Sequence, residues 1–288
     1  MPLSSASIHP SMVGQPWERE LRAAVDAARA AGAIQMERLG NLEHIVHKSA
    51  KDVVTEADHL SEGIILATIR AAFPDDPFLA EESGHSGTGQ GGAPSGGAGA
   101  EGSVEPGHRI WIVDPLDGTV NYANALPFFC ASIALVVGGR PTVGVVLDPV
   151  RDELYCAVLG SGVWRNGEPI HHEGKERLID TVSHVALPST RWARRESKLR
   201  KAIRVGRVFG SAALAMAYLA DSRFDSYIQV RGLSLWDIAA AGLIAEEAGV
   251  TVTDNEGGPW FDLRRRSAAS GIMAATPAHH AAILELLA

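Results

Sequence analysis

Acidic residues stand at the ends of apolar runs, or at the starts of predicted helices, in four short segments of this 288-residue sequence. The segments read "DVVTEAD" (52–58), "LAEES" (79–83), "DPLDGT" (114–119) and "LWDIAAAG" (235–242). Carboxylates can serve as metal ligands or as general acids and bases, and a group of them that faces one point needs a cation to offset the repulsion. Chemistry at these acids therefore depends on a fold that brings them together.

The segment "DPLDGT" follows the apolar run "WIV" directly. Pro115 fixes its own φ and keeps Asp114 extended, so the strand must turn there, and Asp114 and Asp117 can point towards one spot. Gly118 tolerates backbone conformations that are closed to other residues, and a helix that begins at Thr119 would expose the N–H groups of both residues as an anion site. A divalent cation between the acids would let a phosphate bind there without repulsion.

Oxygen ligands of this kind suit Mg²⁺, which prefers octahedral geometry at about 2.0 to 2.1 Å and leaves positions for water and phosphate oxygens. Two such ions about 3.5 to 4 Å apart can activate a water on one side of a phosphorus atom and stabilise the leaving oxygen on the other. The sequence holds no cluster of cysteines and histidines that offers a zinc alternative. The acidic segments therefore predict a Mg²⁺-dependent reaction at a phosphate ester.

Several of these acids also have explanations that involve no chemistry. Thr55 and Asp58 are spaced like a helix-capping box. Asp237 could be an acid that the helix dipole favours in a first turn. Asp114 and Asp117 could form a turn at the end of a strand, since Asp-Pro and Asp-Gly are common loop pairs. A structural and a chemical role can coexist at one residue, so both stay open here.

The elements that must position the acids follow from local patterns. The stretch 17–40 is rich in Ala, Leu, Arg and Glu and closes at a glycine, which predicts a helix. A second predicted helix spans 55–73, with an apolar face, and "PFLAEES" follows it as a short strand. Four strand-like runs separated by Gly, Pro and Asp turns fill 109–160, and a hairpin is predicted at 166–167.

From about residue 180 onwards, short strands alternate with helical stretches, which indicates a smaller α/β half. We therefore predict an N-terminal α+β part over 1–180 with most of the acidic segments, and a C-terminal α/β part over 181–288 that completes the site. Residues 84–107 are mostly Gly, Ala, Ser and Pro, which predicts a flexible surface loop. Such an insert still lets "LAEES" and "DPLDGT" meet, because lengthening a loop costs little closure entropy.

Composition narrows the class of protein. A hydrophobic share of 46% and a charged share of 21% are ordinary for a globular protein. Cys130 and Cys156 lie in apolar runs and predict buried free thiols, and neither a signal peptide nor a long apolar span is recognisable. We expect a cytoplasmic protein without a membrane partner. The net charge of −8 disfavours nucleic acid as a partner, although the basic run 191–207 is either a solvated helix face or an RNA contact.

The four segments, in this order, resemble the signature segments of the inositol monophosphatase family of Mg²⁺-dependent, lithium-sensitive sugar-phosphate phosphatases. The resemblance covers residues 17–288 apart from the glycine-rich insert. It implies an αβαβα layered sandwich of the inositol monophosphatase and fructose-1,6-bisphosphatase type, in the α/β or α+β class, usually as a homodimer. It implies two or three Mg²⁺ ions per site, with these ligands: Glu81, Asp114, Asp117, Asp237 and the carbonyl of Leu116.

The resemblance also implies roles for further residues. Thr119 would orient the attacking water, and Asp58 would hold Thr119. Lys48 would lie on a mobile loop near the metals, and Glu82 would support the site. Contacts to the substrate, a small phosphate ester, are expected from these residues: Asp117, Gly118, Thr119, Ser211 and Arg231.

The substrate is less defined, because this sequence departs from the family at one place. Many members carry an acid before the "WD" pair that accepts hydrogen bonds from substrate hydroxyls, whereas Gln229 or Val230 stands here, beside Arg231. Inositol 1-phosphate is the first candidate, and "DGTVNY" is closer to the inositol and fructose-bisphosphate branches than to the others. The alternatives are fructose 1,6-bisphosphate, histidinol phosphate, 3′-phosphoadenosine 5′-phosphate, or a non-catalytic role with RNA or the transcription machinery.

Overall fold

A computed structural model describes residues 12–42, 45–49, 52–86, 108–187, 193–265 and 270–288 of the chain. Helices and sheets alternate in it as layers. The helices are α1 (Glu18–Arg38), α2 (Glu56–Ala72), α3 (Thr119–Ala123), α4 (Ala193–Ala202), α5 (Ala212–Ala220), α6 (Leu235–Glu247) and α7 (Pro277–Leu287). A short 3₁₀ helix, Leu178–Asp180, stands where the two predicted parts of the chain join.

The first large sheet has eight strands in the order β10-β9-β8-β7-β6-β5-β3-β4. All neighbours are antiparallel except β3 and β5, which run parallel. The strands are β3 (Phe78–Ala80), β4 (Gly84–Ser86), β5 (Arg109–Asp117), β6 (Cys130–Val137), β7 (Arg140–Asp148), β8 (Glu153–Val158), β9 (Gly162–Arg165) and β10 (Glu168–Pro169). A separate antiparallel pair, β1 (Ile45–Ser49) and β2 (Asp52–Thr55), leads into α2.

The second large sheet has five strands in the order β12-β11-β13-β15-β14. β11 runs parallel to both of its neighbours, whereas β15 runs antiparallel to β13 and β14. The strands are β11 (Val182–Ala186), β12 (Val205–Arg207), β13 (Ser226–Leu233), β14 (Thr251–Thr253) and β15 (Ser270–Ala275).

Alternate side chains along the central strands enter different cores, because successive residues of a strand point to opposite faces. On β5, Ile112 packs in the cluster with α5 and α6, whereas Val113 packs in the cluster with α1 and α2. On β13, Tyr227 faces α5 and α6, and Ile228 faces the cluster that includes α4 and α7. Both sheets are therefore covered on both faces, and the predicted αβαβα sandwich is confirmed.

The two middle helices are apolar on all sides, which is typical of helices that are buried within a protein. Every residue of α5 is buried, and so is the "IAAAGLIA" stretch of α6. Gly242 of α6 has no room for a side chain, because a Cβ there would lie 2.5 Å from the Trp260 ring. These helices carry the C-terminal part of the chain against the first sheet, and the division at residue 180 remains a prediction.

Most of the predicted elements are confirmed, including the hairpin at Asn166 and Gly167. Both residues have positive φ, 50° and 86°, as the tight turn between β9 and β10 requires. Both cysteines are buried and free. Among the described residues, no helix combines the length and apolar composition needed to cross a bilayer.

Two local predictions were wrong. The chain was expected to leave the strand at Pro115, but β5 continues to Asp117, with an irregular register against β6 between Asp114 and Asp117. A proline without an N–H is tolerated at such an irregularity, so the strand does not have to end there. The predicted loop 84–107 begins with a strand, since Gly84–Ser86 pair with β3, and residues 87–107 lie outside the described residues.

Candidate metal centre

Three aspartates from distant segments meet at one point of the fold. Each of Asp114, Asp117 and Asp237 offers a carboxylate oxygen, and these oxygens all lie within 4.8 Å of one another. The first two stand at the end of β5, and the third stands in the first turn of α6. The sequence prediction that these acids come together is therefore supported by the geometry.

The cluster is electrostatically unfavourable as it stands. Burial raises the pKa of the Asp114 carboxyl well above its ordinary value, and the charges of Glu81, Asp117 and Asp237 raise it further. Burial, followed by the charge of Asp117, likewise raises the pKa of Asp237. Carboxylates that repel one another in a buried place favour either protons or a cation, and their hard oxygen atoms fit a divalent ion such as Mg²⁺.

Glu81 joins this group through the pairing of β3 with β5. Its backbone N–H donates to the carbonyl of Val113 at 3.1 Å, which continues the parallel ladder. Its side chain shares a hydrogen bond with Asp114. The structure therefore places Glu81 beside Asp114, and its role as a metal ligand stays a prediction.

The turn after Glu81 is held by Glu62 of α2, which the sequence analysis missed. The carboxylate of Glu62 accepts hydrogen bonds from the backbone N–H groups of Glu82 (2.9 Å) and Ser83 (3.0 Å). Glu62 is itself buried. Its position in an amphipathic helix carried no local signal, because its partners lie 20 and 21 residues further along the chain.

The "DPLDGT" turn is closed by its own polar groups. Asp114 Oδ1 accepts from the N–H of Leu116 at 3.1 Å, and the Leu116 carbonyl oxygen lies 3.0 Å from Thr119 Oγ1. Gly118 has a φ of +97° and starts α3 as predicted. A Cβ at Gly118 would lie 3.1 Å from the Phe128 carbonyl oxygen, so a side chain there would be crowded as well as strained by the positive φ.

Asp58 caps α2 with one oxygen and contacts Thr119 with the other, and its catalytic role stays a prediction. Asp58 Oδ2 accepts from the N–H and the hydroxyl of Thr55, at 2.8 and 2.6 Å, which completes the capping box of α2. Asp58 Oδ1 lies 3.0 Å from the hydroxyl of Thr119, which donates to it. Burial raises the pKa of Asp58. The two residues thus form the pair that the family resemblance implied.

Asp237 combines two roles in the same way. Asp237 Oδ2 accepts from the N–H of Ser234 at 2.6 Å, and the two residues form the capping box of α6. This fixes the carboxylate at the helix start, next to Asp114 and Asp117. Asp237 therefore caps the first turn of α6 and also lies near the other two acids.

The remaining predicted site residues have different surroundings. Ser211 was expected to contact substrate, but its buried hydroxyl donates to Asp117 Oδ2 at 2.6 Å, so its substrate contact stays a prediction. Arg231 is exposed, in the part of β13 where the register against β15 is irregular. Lys48 lies in β1, and its side chain falls outside what the structure describes.

The strand residues that stand in place of the family acid form hydrogen bonds with other groups of the protein. Gln229 Oε1 accepts from the hydroxyl of buried Tyr227 at 2.6 Å, and Gln229 Nε2 donates to the Arg231 carbonyl at 3.3 Å. The Val230 carbonyl accepts from Asn255 Nδ2 at 2.6 Å. The position before the "WD" pair is therefore neutral in this protein.

Comparisons with known proteins agree with this geometry. A sequence model described as "Inositol monophosphatase family" matches residues 17–288. Inositol monophosphatase 1 of Solanum lycopersicum is 34% identical over 261 residues, which is 88% of this chain and 90% of the relative. Nus factor SuhB of Pasteurella multocida is 38% identical over 248 residues, which is 83% of this chain and 86% of the relative.

Solved structures show the same similarity. Extragenic suppressor protein suhB from Bartonella henselae superposes with a TM-score of 0.79 at 31% identity, over 93% of this chain and 98% of the other. The Thermotoga maritima IMPase superposes with a TM-score of 0.77 at 30% identity, over 93% and 96% of the two chains. Sequence and fold therefore point to one group of proteins.

Proposed function

Because the chain belongs to the inositol monophosphatase family, we propose that it is a Mg²⁺-dependent phosphomonoesterase acting on a small polyol or sugar phosphate. Family membership supports phosphatase activity. The observation that carries it is the convergence of Asp114, Asp117 and Asp237 on one point, with Thr119 and Asp58 beside it. Inositol 1-phosphate is the first candidate substrate.

The residues that would hold two or three Mg²⁺ ions are Glu81, Asp114, Asp117, Asp237 and the Leu116 carbonyl. Bound ions would neutralise the phosphate and increase the acidity of a water molecule. The backbone N–H groups of Gly118 and Thr119 would bind phosphate oxygens at the start of α3.

The protein's own groups would then direct the attack of water. The hydroxyl of Thr119, which donates to Asp58 at 3.0 Å, has lone pairs available to orient the water and accept its hydrogen. Glu81, with Thr119 and Asp58, would take the proton as oxygen attacks phosphorus. The bond between phosphorus and the ester oxygen breaks, the leaving alkoxide takes a proton from a water molecule, and no phosphoenzyme forms.

The neutral residues before the "WD" pair bear on the substrate. An acid there would accept hydrogen bonds from several hydroxyls, whereas Gln229 already accepts from Tyr227. Fructose 1,6-bisphosphate, histidinol phosphate and 3′-phosphoadenosine 5′-phosphate therefore remain alternatives, with exposed Arg231 as a candidate contact.

A second candidate function is suggested by the relatives named Nus factor SuhB. The basic run 191–207 is the feature of this chain that favours a non-catalytic RNA or transcription partner. Part of its charge is used within the protein: Arg200 pairs with Glu196 at 2.7 Å, and Arg204 pairs with Asp180 at 2.7 Å. These pairs favour a solvated helix face, and an RNA shift assay at several salt concentrations would separate the two functions.

Phosphate release from a panel of esters tests the enzyme hypothesis. Inositol, glycerol, fructose, histidinol and nucleotide phosphates would be assayed with Mg²⁺, with Mg²⁺ plus Li⁺, and with a chelator. We expect hydrolysis of at least one polyol or sugar phosphate that needs Mg²⁺ and is inhibited by Li⁺. Absence of release from every ester, together with RNA binding, would replace the proposal by the second candidate. Light scattering would test the expected homodimer.

A further inference from the structure

We propose that Ser211, at the start of α5, is a positioning residue that orients Asp117 for metal binding. The inference rests on the proposed function, because it assigns Asp117 as a metal ligand. It differs from the sequence-based expectation, in which Ser211 contacts the substrate.

The two oxygens of Asp117 have different environments. Oδ2 accepts two short hydrogen bonds from α5, one from the Ser211 hydroxyl and one from the N–H of Ala213, both at 2.6 Å. The Sγ atom of Cys130 lies 3.9 Å from the same oxygen. Two short hydrogen bonds occupy the lone pairs of Oδ2, so this oxygen is poorly placed to bind a cation. We infer that Oδ1 is the metal-binding atom.

The Ser211 hydroxyl uses both its hydrogen and its lone pairs. It donates to Asp117, and it accepts from the N–H of Leu214 at 3.4 Å as the N-cap of α5. Its side chain is 2% exposed and therefore has little access to a substrate. Replacing it by alanine would remove one of the two short hydrogen bonds to Oδ2, so the carboxylate would be held less firmly against rotation about its terminal bond.

Close contacts fix the backbone on which Ser211 stands. Asn121 of α3 donates through Nδ2 to the carbonyls of Phe128 and Phe209, both at 2.8 Å. Gly210 has a φ of +83°, and a Cβ there would lie 2.8 Å from Asn121 Nδ2.

The "DPLDGT" turn also approaches Ser211 closely. A Cβ at Gly118 would lie 3.1 Å from Ser211 Cβ. The start of α5 is thus held against the "DPLDGT" turn from two sides. This gives Ser211 a defined position from which to orient a ligand that lies 94 residues earlier in the chain.

The test compares Mg²⁺ dependence in matched serine variants. Ser211→Ala removes the hydroxyl, and Ser211→Gly removes it while keeping a residue that caps helices well. Ser226→Ala is the control, because Ser226 is also buried and its hydroxyl donates to Ser183 Oγ at 2.7 Å, within the second sheet. Mg²⁺ binding by calorimetry and phosphate release against Mg²⁺ concentration would be measured for each variant, with melting temperatures in chelator.

Both Ser211 variants should raise the Mg²⁺ concentration for half-maximal activity by about tenfold, the lower end of the usual effect of removing a group that orients a metal ligand. The rate at saturating Mg²⁺ and the KM for the ester should change much less. Ser226→Ala should leave the Mg²⁺ dependence at the wild-type value, whatever it does to the melting temperature.

Two outcomes would overturn the proposal. A raised KM for the ester with unchanged Mg²⁺ binding would show that Ser211 contacts the substrate. Ser211 variants that match Ser226→Ala in every measurement would show that the hydroxyl only caps α5. Failure of the proposed function is distinguishable, because the wild-type protein would then neither bind Mg²⁺ nor release phosphate.

Discussion

Aspartates are buried in two regions of this protein, and the groups around them differ in charge. Asp148, at the end of β7, is fully buried and accepts hydrogen bonds from the Tyr218 hydroxyl (2.7 Å) and the N–H of Val150 (3.0 Å). It also pairs with Arg151 at 3.1 Å. Asp114, at the end of β5, is 1% exposed, and the strongest charges that act on it come from other acids.

This difference separates a structural acid from a candidate ligand. An acid that serves the fold is buried together with donors and a cation of the same chain, because an unpaired buried charge is costly. The acids around Asp114 are held in place by capping and turn hydrogen bonds while their charges repel one another. None of the described residues with the strongest influence on the pKa of Asp114 or Asp237 is a cation, so we expect a bound metal ion to supply the offsetting positive charge.

The largest expected effect would separate the two regions by activity. Asp117→Asn should reduce phosphate release by about a thousandfold, because a lost metal ligand removes about 4 kcal/mol of transition-state stabilisation. Asp148→Asn should retain most of the activity per folded molecule. Steady-state assays at saturating Mg²⁺ would measure both, and an Asp117→Asn enzyme with near wild-type rates would remove Asp117 from the site.

The second prediction concerns the free energy of unfolding, which should respond differently to the same substitution in the two regions. In chelator, Asp148→Asn should lower the free energy of unfolding by about 2 kcal/mol, because it weakens several buried hydrogen bonds. Asp114→Asn should leave that free energy unchanged or raise it, because it removes one of the repelling charges. Urea titrations would measure both values. Equal destabilisation by the two variants would contradict the distinction drawn here.

The third prediction follows from the raised pKa values of Asp114, Asp117 and Asp237. A carboxyl whose pKa is higher in the folded than in the unfolded state contributes stability at low pH, and this contribution is lost as the pH rises through the folded-state pKa. In chelator, the melting temperature should therefore fall as the pH rises above the ordinary carboxyl range. The fall should be smaller in Asp114→Asn, and Mg²⁺ should reverse it in the wild-type protein. A melting temperature that responds to pH identically in both proteins would count against repulsion among these acids.

The smallest expected effect concerns Glu62, a buried acid whose carboxylate accepts hydrogen bonds from backbone N–H groups. Glu62→Gln keeps one of the two acceptor oxygens, so the turn after Glu81 loses one hydrogen bond. We expect a loss of about 1 kcal/mol of transition-state stabilisation, which is about fivefold in kcat/KM. Kinetics at several Mg²⁺ concentrations would measure this. A loss as large as that of Asp117→Asn would make Glu62 a ligand instead of a support.

The sequence predicted well what depends on local pattern. The amphipathic helices, the apolar strands and the capping pair Thr55–Asp58 all follow from spacing within a few residues, and the family resemblance supplied the order of the acids. The continuation of β5 past Pro115 was missed, because it depends on pairing with β6 rather than on the proline itself.

Contacts between distant segments could not be predicted in the same way. Ser211 was assigned to the substrate on the family resemblance, whereas its partner is decided by the packing of α5 against β5. Glu62 and Asn121 were given no role, since nothing near them in the sequence indicates which carbonyls or N–H groups they meet. Such contacts hold the candidate site together, and only the folded structure shows them.

The most direct test of a metal site among Asp114, Asp117 and Asp237 is a crystal structure of the protein soaked with Mn²⁺, which scatters anomalously and takes oxygen ligands like those of Mg²⁺. We predict anomalous peaks between these carboxylates, with Glu81 and the Leu116 carbonyl at ligand distance. Carboxylates that stay protonated and hydrogen-bonded to one another at millimolar Mn²⁺, with no peak between them, would contradict the account.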